Sequence, residues 1–104
     1  VHTPHYSLIT FSGPDSASGV VGAHLEIAME NQSLFGAVRY YDQYRRMGGK
    51  WLFSRRELLT VHMGPWENVA SSLTAEKRVR WPGAEPQAAD LPAVSGAPRW
   101  NNKL

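Results

Sequence analysis

The sequence predicts a four-stranded antiparallel β-meander with long, bent strands, followed by a short helix or irregular segment. Three observations lead there. Four β-prone runs fill residues 6–61, short turn signals separate them, and glycines interrupt the second run where a sheet would bend. One helix signal follows the last run, at Pro65.

The first run, "YSLITF" from Tyr6 to Phe11, stops at Ser12-Gly13-Pro14-Asp15, a strong turn signal. Ser16 to Met29 then alternates. Ala17, Gly19, Val21, Ala23, Leu25, Ile27 and Met29 share one face, and Ser18, Val20, Gly22, His24, Glu26 and Ala28 the other. This run is longer than an ordinary strand, and Gly19 and Gly22 offer places for a bulge or bend that curls the sheet. Glu30-Asn31-Gln32-Ser33 breaks the pattern before a third run, Leu34 to Arg46. Gly48 and Gly49 suit the next turn because glycine takes positive φ at no steric cost, and Trp51 to Val61 forms the last strand. Residues 1–64 therefore read as one β-meander. Residues 65–80 read as a short helix, reaching about Glu76, or an irregular segment, and 81–104 as a Pro/Ala-rich extended tail carrying Trp81 and Trp100.

With 104 residues there is room for one core, and 42% hydrophobic content is enough to build it. A formal charge of +2, with Lys and Arg scattered along the chain, gives no stripe that would neutralise many phosphates, so no nucleic-acid partner is expected. A reading that uses Arg45, Arg46, Lys50, Arg55, Lys77, Arg78 and Arg80 for nucleic acid ranks last. The absence of cysteine excludes disulfides and thiol chemistry and fits a reducing, cytoplasmic compartment. No apolar run approaches the ~20 residues needed to span a bilayer, so no membrane partner is expected.

Chemistry-bearing residues fall into three groups. His2 and His5 precede the first run; Pro4 between them argues against a helical pair of metal ligands, and no metal is expected. Either histidine suits a general base at a cavity rim, because its pKa lies near the working pH; the plainer alternative is two surface histidines at a frayed terminus. On the third run Tyr40, Asp42 and Tyr44 share a face, opposite Arg39, Tyr41, Gln43 and Arg45. Tyr40 suits a hydrogen bond to a substrate oxygen or plain core packing. Asp42 suits a pocket role or, slightly favoured, a cross-strand pair with an arginine. On the fourth run strict alternation puts Trp51, Phe53, Arg55 and Glu57 on one face and Leu52, Ser54, Arg56, Leu58 and Thr60 on the other. Arg56, flanked by aliphatic neighbours, either snorkels outward or enters a pocket, where its permanent charge would hold an anionic leaving group or an enolate.

The segment "GAVRYYDQYRRMGGKWLFSRRELL" resembles the closing strand pair of the SnoaL-like polyketide cyclase and dehydratase families, of the nuclear transport factor 2-like superfamily. There a Gly-x-x-x-Tyr-x-Asp-x-Tyr run meets a Gly-x-Trp-x-[Ile/Phe]-x-x-Arg run. Upstream, "HTPHYSLITFSGPDSA" is similar to the family's His-containing lead-in, apolar strand and turn, so the likeness covers roughly residues 2 to 62.

The resemblance implies a cone-shaped α+β barrel around a hydrophobic pocket, a cofactor-independent lyase or isomerase of dehydratase or cyclase type, and a homo-oligomer, dimer or higher. The substrate class it implies is hydrophobic, cyclic or polyketide-like. In dehydratase-like relatives a His before the first of these strands removes a proton and an Asp on the first helix orients it. His2 is the better counterpart of that base and His5 the second. Arg56 falls where dehydrochlorinase-like relatives carry a pocket arginine. Under this likeness Tyr40, Leu58 and Thr60 line the same cavity, joined by His5, His24, Glu26 and Asp42. One tension accompanies it: burial alone would turn the Ala17–Met29 set, not the His24 and Glu26 face, toward the core. The family's N-terminal helices have no counterpart in this chain, so either an upstream segment supplies them or another chain covers the sheet. Members of the superfamily also include non-catalytic carriers, which leaves a small-molecule-binding or dimerisation domain as the alternative.

Overall fold

The computed structural model describes residues 1–72, 75–81, 84–88 and 90. Four strands form one antiparallel sheet in sequence order: β1 (His2–Gly13), β2 (Ser16–Met29), β3 (Gln32–Met47) and β4 (Lys50–Pro65). A 3₁₀ turn, Trp66–Asn68, and one helical turn, α1 (Val69–Ser72), follow; β5 (Lys77–Arg78) and β6 (Gln87–Ala88) then form a two-stranded ribbon. The meander is the expected one. The first strand starts earlier, at His2, and the helix is much shorter than a span from Pro65 to Glu76. The tail expected over 81–104 lies mostly outside the described residues, Trp100 included.

The hairpins are set by local chemistry. Glu30 and Asn31 (φ 50° and 62°) form the β2–β3 turn, and Gly48 and Gly49 (φ 58° and 78°) the β3–β4 turn. Two central residues at positive φ are what a primed two-residue turn requires, and its twist matches that of the flanking strands.

Register decides which side chains share a face. β2 and β3 pair without interruption from Ser16↔Arg45 to Met29↔Gln32, so Val21 faces with Tyr40, Gly19 with Asp42 and Ala17 with Tyr44. The apolar Ala17–Met29 set therefore lies with Tyr40, Asp42 and Tyr44 on one side, the first face. His24 and Glu26 lie on the second. β4 departs from strict alternation twice, because Ser54 and Val61 have no partner on β3. An extra residue reverses the side-chain order beyond it. Trp51 and Phe53 consequently join Arg56, Leu58 and Thr60 on the first face, while Arg55 and Glu57 stay on the second. Grouping Trp51 and Phe53 with Arg55 is thus overturned by one bulge.

Each face carries a small core. Ala23, Val38 and Met63 anchor the first, with Leu25, Ile27, Tyr40 and Leu58 packed on them; Val20, Tyr41 and Leu59 anchor the second. Gly22 and Gly36 are places where a neighbouring side chain lies on bare backbone: a Cβ on Gly22 would meet the Tyr6 ring at 2.3 Å, and one on Gly36 the Met63 side chain at 2.6 Å. The first face still exposes Ile9, Phe11, Trp51 and Phe53. The sheet ends in two edges, β1 and β4, so the described strands form an open sheet. Beside the β4 edge, Arg78 donates to the Val61 carbonyl at 2.6 Å and Asp90 accepts the Thr60 N–H at 3.1 Å; Arg80 pairs with Asp90 at 2.6 Å. No described helix is long and apolar enough to cross a membrane.

Candidate active face

The first face gathers most of the chemistry the sequence singles out. β3 presents Tyr40, Asp42 and Tyr44 at period two, β4 sets Arg56 opposite Asp42, and β1 brings His2 across Leu25 of β2. His2 Nε2 and Tyr40 Oη are hydrogen-bonded at 2.9 Å. The Arg56 guanidinium lies 4.1 Å from the Tyr40 ring centroid and 4.3 Å from that of Phe53, a stacking position for a delocalised cation.

Asp42 fixes that guanidinium. Its carboxylate accepts Nε of Arg56 at 2.7 Å and Nη2 at 2.8 Å, and it accepts the Tyr44 hydroxyl at 2.8 Å. The Asp42 side chain is wholly buried whereas that of Arg56 is 37% exposed, so the pair is anchored from below and open from above. Two parallel charge-assisted bonds hold a guanidinium in one plane, which a single contact cannot do. Hydrogen bonding to Asp42 raises the Arg56 pKa above its ordinary value, against the opposing effect of burial. Burial, then the Asp42 carboxylate, pushes the Tyr44 phenol up to about 12. Arg56 therefore remains a cation and Tyr44 a neutral donor throughout the physiological range.

Arg56 Nε and Nη2 are committed to Asp42, which leaves Nη1 for a ligand. The favoured sequence reading of Asp42, a cross-strand partner for an arginine, is what the structure contains. Tyr44 completes that pair. Its signal is the Tyr-x-Asp-x-Tyr spacing, which already puts all three side chains on one face. The bulge at Ser54 hides Phe53 from the same reasoning. Leu58, half-buried, and Thr60, buried, stand on the same face and border a recess of about 320 Å³ together with Arg80 and Trp81.

His5, His24 and Glu26 are not part of this group. Alternation along β1 already sets His5, three residues from His2, toward the second face, where its Nε2 hydrogen-bonds His24 Nδ1; His24 Nε2 in turn reaches Glu26 Oε1 at 3.2 Å. The cavity expected to unite all nine residues is divided by the sheet into two sets on opposite sides. His62, buried on the second face, has its pKa lowered by burial and then by the charge of Arg78. Among the described residues no group of three or more His, Asp and Glu side chains is arranged to hold a metal ion.

Two solved structures are similar to this chain. One is the crystal structure of LinA, with 27% identity over 66% of this chain and 48% of that one, at a TM-score of 0.56. The other is a hexachlorocyclohexane dehydrochlorinase (LinA), type 2, with 22% identity over 81% of this chain and 53% of that one, at a TM-score of 0.58. No family model and no curated protein matches. The sheet thus has the nuclear transport factor 2-like fold of these dehydrochlorinases, and the chain spans about half the length of each.

Proposed function

We propose that the first face is a lyase-type site that removes a proton from carbon and expels a leaving group from a hydrophobic, cyclic substrate. The observation that carries this is the juxtaposition of His2, Tyr40 and Arg56, with His2 Nε2 on Tyr40 Oη at 2.9 Å and the Arg56 cation 4.1 Å above the Tyr40 ring. Its support is the nuclear transport factor 2-like fold shared with dehydrochlorinases, together with the resemblance of the lead-in and strand pair to SnoaL-like dehydratases.

The chemistry follows from these positions. With Nε2–H donated to Tyr40 Oη, the lone pair of neutral His2 resides on Nδ1. That nitrogen takes a proton from a C–H bond, the C–H electron pair forms the new double bond, and the bond to the leaving group breaks. The departing anion, or an enolate where the substrate is a ketone, is met by Arg56 Nη1. Asp42 already neutralises Arg56, so the face accepts an imidazolium without two facing cations. No cofactor enters this balance. Ile9, Phe11, Trp51 and Phe53 supply an apolar surface for a ring substrate, and covering that surface between copies of the chain would make a dimer or higher oligomer. Whether the leaving group is halide or hydroxide, and whether the substrate is polyketide-like, follows from assay. Chloride release from hexachlorocyclohexane and dehydration of hydrophobic cyclic alcohols form the first panel. His2→Ala is expected to lose about 10²–10⁴-fold in turnover with an unchanged melting transition; wild-type turnover in that variant would refute the assignment.

The second reading, a non-catalytic binding or dimerisation domain, is favoured by the exposure of Phe11 and Phe53, at 68% and 59%. It predicts saturable binding of the same panel with no product.

A further inference from the structure

His2 belongs to the least supported part of the sheet. β1 is an edge strand, and nearly all its residues are exposed. Its ladder with β2 is interrupted after Pro4, three residues into the strand. His5 has no partner on β2, which pairs Pro4↔Ala23 and then Tyr6↔Gly22. The backbone of the lead-in is held by Val1 and Glu26, which exchange N–H···O bonds at 2.6 and 2.8 Å. Across the gap in the ladder the connection is made by side chains.

That connection is a row on the second face. His5 stacks on His24 with ring centroids 4.5 Å apart and planes 25° apart, and the two are hydrogen-bonded through Nε2 and Nδ1. Glu26 holds the other nitrogen of His24. Behind His24 stands Phe35, at 5.6 Å; behind Phe35 stand the buried His62, at 5.3 Å, and Trp66, edge-on at 4.8 Å. His24 is therefore fixed from three sides, and His5 is tied to a fixed point. When His5 Nε2–H donates to His24 Nδ1, His24 Nε2–H is free to donate to Glu26, so one tautomer of each ring satisfies the whole chain of bonds.

We infer that the His5–His24–Glu26 chain is a positioning device for His2, bracing on one side of the sheet the stretch where the bulge at His5 disrupts the ladder, and so fixing the imidazole against Tyr40 on the other. This rests on the reading of His2 as the base. His5 touches no reacting atom; it acts through Pro4 and Thr3 of β1.

The test follows the His2 ring itself. In the full-length protein labelled with ¹⁵N-histidine, ring-nitrogen resonances are assigned by comparison with His2→Ala and then followed in two variants. His5→Ala removes the clasp at β1. His24→Phe keeps a ring stacked on Phe35 but cannot accept from His5, and it serves where the first variant folds poorly. Both are expected to shift the His2 ring resonances away from the Tyr40-bonded position. Turnover should fall with KM unchanged, by about tenfold and up to ~10²-fold, since a misplacement of about 1 Å costs that much. His5→Gln, which keeps a donor toward His24, should recover part of both. His2 resonances identical to wild type in both variants would overturn the inference whatever the rates. Shifted resonances with turnover unchanged in these variants and in His2→Ala would leave the clasp standing and overturn the assignment of His2 as base.

Discussion

Replacing Asp42 by Asn removes one charge and almost no volume, which makes it the sharpest probe of the first face. In the native protein the carboxylate accepts three donors, two from Arg56 at 2.7 and 2.8 Å and one from Tyr44 at 2.8 Å. Asparagine can still accept through its oxygen, but its amide nitrogen then confronts a donor. A hydrogen bond to a charged group contributes about 1.5–3 kcal/mol, and stripping one partner from a fully buried pair costs about 3–5 kcal/mol. Arg56 is not fully buried, with 37% of its side chain exposed, and it can swing into water, so the lower range applies. We expect a loss of about 2 kcal/mol, which for a domain of this size lowers Tm by roughly 8–16 °C. Arg56→Met in the Asp42→Asn background should cost less than it does alone, because the two changes remove one shared interaction. Thermal unfolding followed by circular dichroism measures both. A Tm within about 2 °C of wild type for Asp42→Asn would mean that the pair does not organise this face.

Other outcomes follow from packing and from ionisation. Gly36→Ala forces the buried Met63 thioether out of place and should cost about 1–3 kcal/mol; Gly22→Ala should displace the Tyr6 ring and loosen β1 from β2, seen as faster amide exchange there. Val38, fully buried, should lose about 2 kcal/mol on truncation to Ala, measured by denaturant unfolding. Tyr44 ionises near 12 when folded and near 10 when unfolded, so its contribution is complete below pH 10 and is lost as pH rises from 10 toward 12. Tyr44→Phe should flatten that alkaline limb. His62 is disfavoured as a cation when folded, so the unfolded chain binds its proton first, and stability should fall as pH drops below the ordinary histidine value of about 6.5. His62→Phe should reduce that acid sensitivity.

Much of this face is legible in the sequence. Period two alone groups Tyr40, Asp42 and Tyr44, and the apolar Ala17–Met29 set correctly marks the side of β2 that faces them. What alternation cannot carry is its own interruption. Ser54, Val61 and His5 are ordinary residues, yet each occupies a bulge, and each bulge moves its neighbours to the other side. Strict alternation misplaces Trp51 and Phe53 for that reason, whereas it is the family likeness that groups His5 with His2: three residues apart on one strand, the two already fall on opposite faces by alternation. Chemistry draws His24 and Glu26 to the cavity, against the burial pattern, and the burial pattern is the better guide. The contacts of Arg78 and Asp90 with the β4 edge join residues 17 and 30 positions apart, beyond the reach of any local pattern.

The most direct measurement is a competition between C–H and C–D hexachlorocyclohexane for the full-length protein, read by mass spectrometry as the isotopologue ratio of the remaining substrate, with total chloride release from His2→Ala measured alongside. Proton abstraction by His2 predicts that the C–H substrate is consumed faster and that the variant loses release of chloride from both. Equal consumption of the two isotopologues, or chloride release in His2→Ala at the wild-type rate, would contradict it.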